Sequence, residues 1–172
     1  MRWWRRTRQN WPSICPRTCF VGLIRDALGQ TECKGSADME LNTNVGMEHF
    51  TLESLAPPVG TYSHGVIAQG FLFTCGVGPS DPITGNFIGE EIVSQTRQVF
   101  RNLETILLAR NLDFSKVIKL TGYLQNINQD FKAYDSVCHE FLKTPYPVRT
   151  TIGASLPNIL VEIDCVVSLG LS

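Results

Sequence analysis

The chain has 172 residues, 43% of them hydrophobic and 18% charged, with a formal net charge of −1. That suits one domain with a real core and leaves too little for a comfortable second. Residues 1–46 carry seven Lys/Arg against four Asp/Glu, and residues 47–172 carry eight against twelve. An acidic main domain is a poor match to a phosphate backbone, and no apolar run reaches the ~20 residues a bilayer requires, so neither nucleic acid nor a membrane is the expected partner.

The chain opens with MRWWRRTRQNWPSICPRTCFVGLIR, six arginines and no acid before Asp26. Its charge resembles that of an organellar transit peptide, but serine and amphipathic patterning are weak. The other reading starts the protein at Met39 or Met47, with an unstructured or misassigned extension upstream. Either way, 1–46 is a basic extension set apart from a domain at 47–172. The expected location is the cytoplasm, or the mitochondrion if 1–46 acts as a transit peptide. Cys15 and Cys19, in CPRTC, lack a second ligand pair, so no metal site is expected. Cys75 and Cys165 lie in apolar strand-like runs and Cys138 on a helical face; all three read as small buried hydrophobes of a reducing compartment.

In the domain, HFTLES is a first short strand and APPVGTYSHG a loop set by its prolines and glycines. Residues 66–78 read as two short strands, or one bent at Gly70, with the aromatics of FLFT as core residues. DPITGN (81–86) is turn chemistry. Between Glu90 and Arg110 the period changes: Ile92, Thr96, Val99, Leu103, Ile106 and Arg110 recur at spacings of three and four, widened by Val93, Phe100 and Leu107. That predicts an amphipathic helix of about five turns. A strand follows at 116–127, then a helix from Asp130 to Leu142 with Phe131, Tyr134, Cys138 and Phe141 on one face, ended by KTPYP. Two strands close the chain, at 148–154 and 160–169. The order β-β-β-α-β-α-β-β predicts an α+β sandwich, two helices on one face of a mixed or antiparallel sheet. Both final strands carry apolar residues on both faces, so the open face is expected to pack against other copies of the chain.

Those strands also carry two isolated charges. Side chains alternate along a strand, so Arg149 shares a face with Thr151, while Glu162 and Asp164 point away from the row Val161, Ile163, Cys165, Val167. A hairpin symmetric about Ser155–Leu156 would set Arg149 opposite Glu162. The pair is then either a structural cross-strand ion pair or a site in which the arginine holds a ligand carboxylate and the glutamate activates water. Spacing alone does not choose.

The stretches APPVGTYSHGV (56–66), FLFTCGVGPSDPITGN (71–86) and PYPVRTTIGASLPNILVEI (145–163) together resemble the RidA family of reactive intermediate deaminases, over about residues 47–170. The resemblance implies a chorismate-mutase-like α+β fold, a homotrimer with sites in the clefts between subunits, and hydrolysis of reactive enamines and imines such as 2-aminoacrylate or 2-iminobutyrate to 2-keto acids and ammonia, without a cofactor. By position, it implies that Arg149 clamps the substrate carboxylate and that Glu162 positions and deprotonates the attacking water. Tyr62 would line or cap the cleft, and main-chain groups at Cys75 and Gly76 would bind the polar end of the substrate. Asn128 is a looser match. Position 75 departs from the family, which typically has serine there, and the link from Arg149 to Glu162 is a residue or two short. Two alternatives keep the fold: a deaminase of a ring-degradation intermediate, and a non-catalytic trimer that binds a keto acid or a partner. A ribonuclease role attached to the family name fits poorly with an acidic domain.

Overall fold

A computed structural model describes residues 46–170; the basic N-terminal segment, with its cysteines and the question of a leader, lies outside them. The elements follow the predicted order: β1 Glu48–Phe50, β2 Gly65–Ala68, β3 Phe71–Thr74, α1 Ile92–Leu108, β4 Val117–Leu124, α2 Ile127–Phe141, β5 Val148–Gly153 and β6 Val161–Ser168. β2 and β3 are two strands rather than one bent strand. Gln69 and Gly70 between them both take positive φ, the two-residue turn whose twist suits a hairpin. α2 starts three residues earlier than its hydrophobic pattern predicts, because the amides of Gln129 and Asp130 donate to the Asn126 carbonyl and close a first turn of polar residues.

All six strands form one sheet in the order β1-β2-β3-β6-β4-β5, antiparallel except for the parallel β4–β5 pair. The final two strands are therefore not a hairpin. β4 lies between them, pairing Leu120 with Arg149 on one side and Tyr123 with Glu162 on the other. Residues 154–160 carry the chain over the end of β4 instead of folding β6 onto β5. Arg149 and Glu162 are not cross-strand neighbours.

Both helices cover one face of the sheet. α1 contributes Val99, Phe100, Leu103, Ile106 and Leu107, and the sheet offers Leu72, Leu120, Leu124, Val161, Ile163 and Val167, all fully buried. Phe100 stacks on Phe141 with ring centroids 4.7 Å apart, and Phe114 meets both rings edge-on. Two expectations about the core fail. Leu72, not Phe71 or Phe73, is the core residue of FLFT, and Phe131 is exposed while Val137 takes the inward position on α2. The reason is register: Leu72 faces Val167, so its aromatic neighbours point to the uncovered face. That face carries Phe71 and Phe73 on β3 and Val148 and Ile152 on β5 at 38–66% exposure, and between them the central strands present Lys119, Thr121, Glu162 and Asp164.

Candidate active site

Two clefts contain the residues singled out in the sequence. The larger, about 650 Å³, lies among the 55–64 segment, the 75–87 segment, α1 and β6, and is lined by Tyr62, His64, Cys75, Gly76, Asn102 and Glu162, among others. Its floor comes from an irregularity in the sheet. β3 pairs Phe73 with Val166, and the next bridge joins Val77 to Ile163, so four steps on one strand match three on the other. One extra residue makes a bulge, a device that bends a strand and re-aims its side chains. Here it brings Gly76 directly against Glu162, where a Cβ would overlap the carboxylate. Only glycine allows that approach.

Glu162 is half-buried, and no lysine or arginine pairs with it among the described residues. Burial, helped by the nearby charge of Asp164, raises its pKa above the ordinary glutamate value. Burial and then the Glu162 charge push the Cys75 thiol up to about 11, so it stays protonated at neutral pH and is a poor nucleophile. The Cys75 amide donates to the His64 carbonyl and the Val77 amide to that of Ile163, while the Gly76 amide between them takes no part in these bonds. Of the main-chain groups expected to bind substrate, the Cys75 N–H is thus already used by the fold. The Tyr62 ring borders the cleft, and its hydroxyl accepts from the Val59 amide at 3.2 Å. His64 is buried with both ring nitrogens engaged: Nδ1 accepts from the Leu52 amide at 2.9 Å, so Nε2–H donates to the Ala56 carbonyl at 3.1 Å. It pins the 52–56 loop.

Arg149 lies elsewhere. Its parity on β5 turns it to the helix-covered face, whereas Glu162 points to the open one. It lines a second cleft of about 400 Å³ with Asp135, Cys138, His139, Leu142, Tyr146 and Pro147. Its Nη2 donates to Asp135 Oδ1 at 2.6 Å. Asn128 sits exposed on the first turn of α2 and lines neither cleft. Among the described residues no cluster of His, Cys, Asp or Glu could hold a metal ion, and no helix is long and apolar enough to cross a membrane.

The sequence reading missed Asn102 and Asp135. Asn102 is buried on the apolar stripe of α1. Its Nδ2 donates to the carbonyls of Gly78 and Ser80 at 3.1 and 2.8 Å, and its Oδ1 accepts from Gln98 Nε2 at 2.9 Å. Gln95 does similar work about two turns earlier, donating to the Gly89 carbonyl and accepting from the Leu160 amide. The available signal was three amide side chains on a face that otherwise reads as core. Asp135 could be placed beside Arg149 only once the parallel β4–β5 pairing was known.

The fold and the three matching stretches define a family. Residues 53–169 match the Endoribonuclease L-PSP family, and the chain belongs to it, the YjgF/RidA family. Among its relatives is a protein of Arabidopsis thaliana named Reactive Intermediate Deaminase A, chloroplastic, 34% identical over 129 residues, covering 74% of this chain and 68% of the relative. A Dermatophagoides farinae protein named 2-iminobutanoate/2-iminopropanoate deaminase is 34% identical over 116 residues, covering 66% and 90%. The crystal structure of RidA from an Antarctic Psychrobacter superimposes with a TM-score of 0.66 at 28% identity, covering 70% of this chain and 98% of that one.

Proposed function

We propose that this chain hydrolyses imines, and enamines after their tautomerisation, of small 2-amino-acid origin to 2-keto acids and ammonia. The observation that carries the reading is Glu162: a carboxylate with no Lys or Arg counterion among the described residues, half-buried in a cleft, with its proton affinity raised. Such a group is suited to take a proton from water and return it later in the same cycle. Two deaminase-named relatives support the class of reaction.

In this scheme Glu162 accepts a proton as water oxygen adds to the protonated imine carbon, giving a carbinolamine. Glu162 then passes that proton to nitrogen, the C–N bond breaks as the carbinol hydroxyl returns a proton to Glu162, and the keto acid leaves with ammonia, which carries the proton off as ammonium. The imine carbon is already electrophilic, so orientation supplies much of the rate and no covalent enzyme intermediate is required. The Gly76 amide is placed to meet the polar end of the substrate, and Tyr62 closes the rim. Cys75, held as a thiol, is a packing group. The substrate carboxylate falls to Arg149, whose planar fork suits it. Because Arg149 and Glu162 lie in different clefts of one chain, the reading requires a homo-oligomer, a trimer in this family, in which the open faces meet and Arg149 of one copy completes the Glu162 cleft of the next.

The test is hydrolysis of 2-iminobutanoate, generated in situ by a threonine dehydratase, with semicarbazide competing for the imine. Wild type should accelerate keto-acid formation, and Arg149→Ala and Glu162→Gln should each lose at least a hundredfold, a typical general-base contribution being about 10²–10⁴-fold. Folded wild type that does not accelerate the reaction would overturn the proposal for this substrate.

A further inference from the structure

The guanidinium assigned to the substrate carboxylate already holds another carboxylate. Asp135 sits on α2 facing β5, and its Oδ1 accepts from Arg149 Nη2 at 2.6 Å. Both partners are largely shielded, with side-chain exposures of 26% and 31%. The contact uses one nitrogen of the fork. The rest of the guanidinium lies against Tyr134 and Phe131, 5.7 and 5.9 Å from their ring centroids. Asp135 is itself held from behind: His139 Nε2 lies 3.6 Å from its Oδ2, and the Tyr146 hydroxyl is 3.4 Å from His139 Nδ1. Arg149, Asp135, His139 and Tyr146 therefore form one connected row along the smaller cleft.

We propose that Asp135 is a specificity-determining residue that attenuates the Arg149 clamp. This rests on the reading of Arg149 given above. A carboxylate against the guanidinium fixes its orientation and cancels most of its net charge, leaving free N–H donors with little long-range attraction. An incoming substrate must share the fork with Asp135. A monocarboxylate can do so through the remaining donors, whereas a dicarboxylate brings a second negative charge toward Asp135 and is disfavoured. The substrate class that fits is the imine of a neutral-side-chain amino acid, not of aspartate or glutamate.

The experiment measures binding of 2-oxobutanoate and 2-oxoglutarate by titration calorimetry, and KM and kcat for 2-iminobutanoate, in full-length wild type, Asp135→Asn, Asp135→Ser and Arg149→Ala. Asparagine keeps an acceptor for Arg149 and deletes the charge; serine is the second variant should asparagine perturb folding. Losing a like charge near the site should tighten 2-oxobutanoate roughly three- to tenfold and 2-oxoglutarate more, with KM falling in parallel and kcat moving less. Added salt should shrink the difference between wild type and variant, since the effect is electrostatic. A purely structural Asp135 would instead weaken binding and lower kcat in both variants, and that result overturns the inference. If Arg149→Ala binds both keto acids as well as wild type, the clamp itself fails, and with it the proposed function. If Arg149→Ala loses binding while neither Asp135 variant tightens it, only the inference about Asp135 falls.

Discussion

Glu162 shows how the placement of a single ionisable group ties the stability of the fold to pH. Burial and the neighbouring Asp164 raise its folded-state pKa above its unfolded value, so protonation favours the folded state. Its stabilising contribution is complete below the ordinary glutamate value of 4.5 and is lost as pH rises through the raised value. At pH 7 the ionised carboxylate is a burden on the fold. Part of it still meets solvent, which screens the charge and keeps the burden small. Glu162→Gln, a mimic of the protonated form, should be slightly more resistant to urea than wild type at pH 7. The gap should close toward pH 4. Equal midpoints at pH 7, or a variant weaker than wild type there, would contradict this account. That Arg149 and Glu162 stand apart was legible in the sequence, because lone charges on otherwise apolar strands are expensive. Their mutual placement was not, because alternation along a strand fixes a face and says nothing about which strand lies alongside.

At the scale of elements, both helices and all six strands could be read from periodicity and turn chemistry, with ends displaced by a few residues. What could not be read was the insertion of β4 between β5 and β6. A short connection between two antiparallel strands ordinarily makes a hairpin, and nothing local to residues 154–160 distinguishes a link that spans one strand from a link that spans none. The bulge at residues 74–77 was equally hidden, since one additional residue on one strand is visible only against its partner. α1 does more than cover the sheet: its buried amides hold the 78–89 loop that walls the larger cleft. Asn102→Ala would strip the Gly78 carbonyl of its donor and leave Ser80 with only the longer 3.5 Å bond from Gln98 Nε2. An unsatisfied buried polar group costs about 1–3 kcal/mol, and the variant should unfold at correspondingly lower urea while keeping its helical circular dichroism. Since the same carbonyls position the wall beside Gly76, KM for an imine should rise as well. An Asn102→Ala protein as stable as wild type would remove the loop-anchoring role.

For the whole molecule, the sheet is covered by helices on one face, and the other exposes Phe71, Phe73, Val148 and Ile152 on either side of a polar centre. An acidic domain with such a face is better explained by self-association than by nucleic acid, whose binding rests on neutralised phosphates. The expectation of inward-facing sheets came from apolar residues on both sides of the last two strands, and the register supplies the particular residues, Phe71, Phe73, Val148, Ile152 and Val166.

The opposed facing of Arg149 and Glu162 has a genetic consequence. If each working centre draws its arginine from one copy and its glutamate from the next, two inactive proteins can lend each other what they lack. Arg149→Ala and Glu162→Gln, unfolded together and refolded as a mixture, would assort at random around a ring. About a quarter of the centres would then receive both intact groups. Activity near a quarter of wild type from two dead parents would be the signature of shared ownership. In a cell carrying one allele of each kind, neither defect would be fully recessive to the other, and some turnover would survive. A silent mixture that still forms mixed rings would instead assign both residues to the same copy.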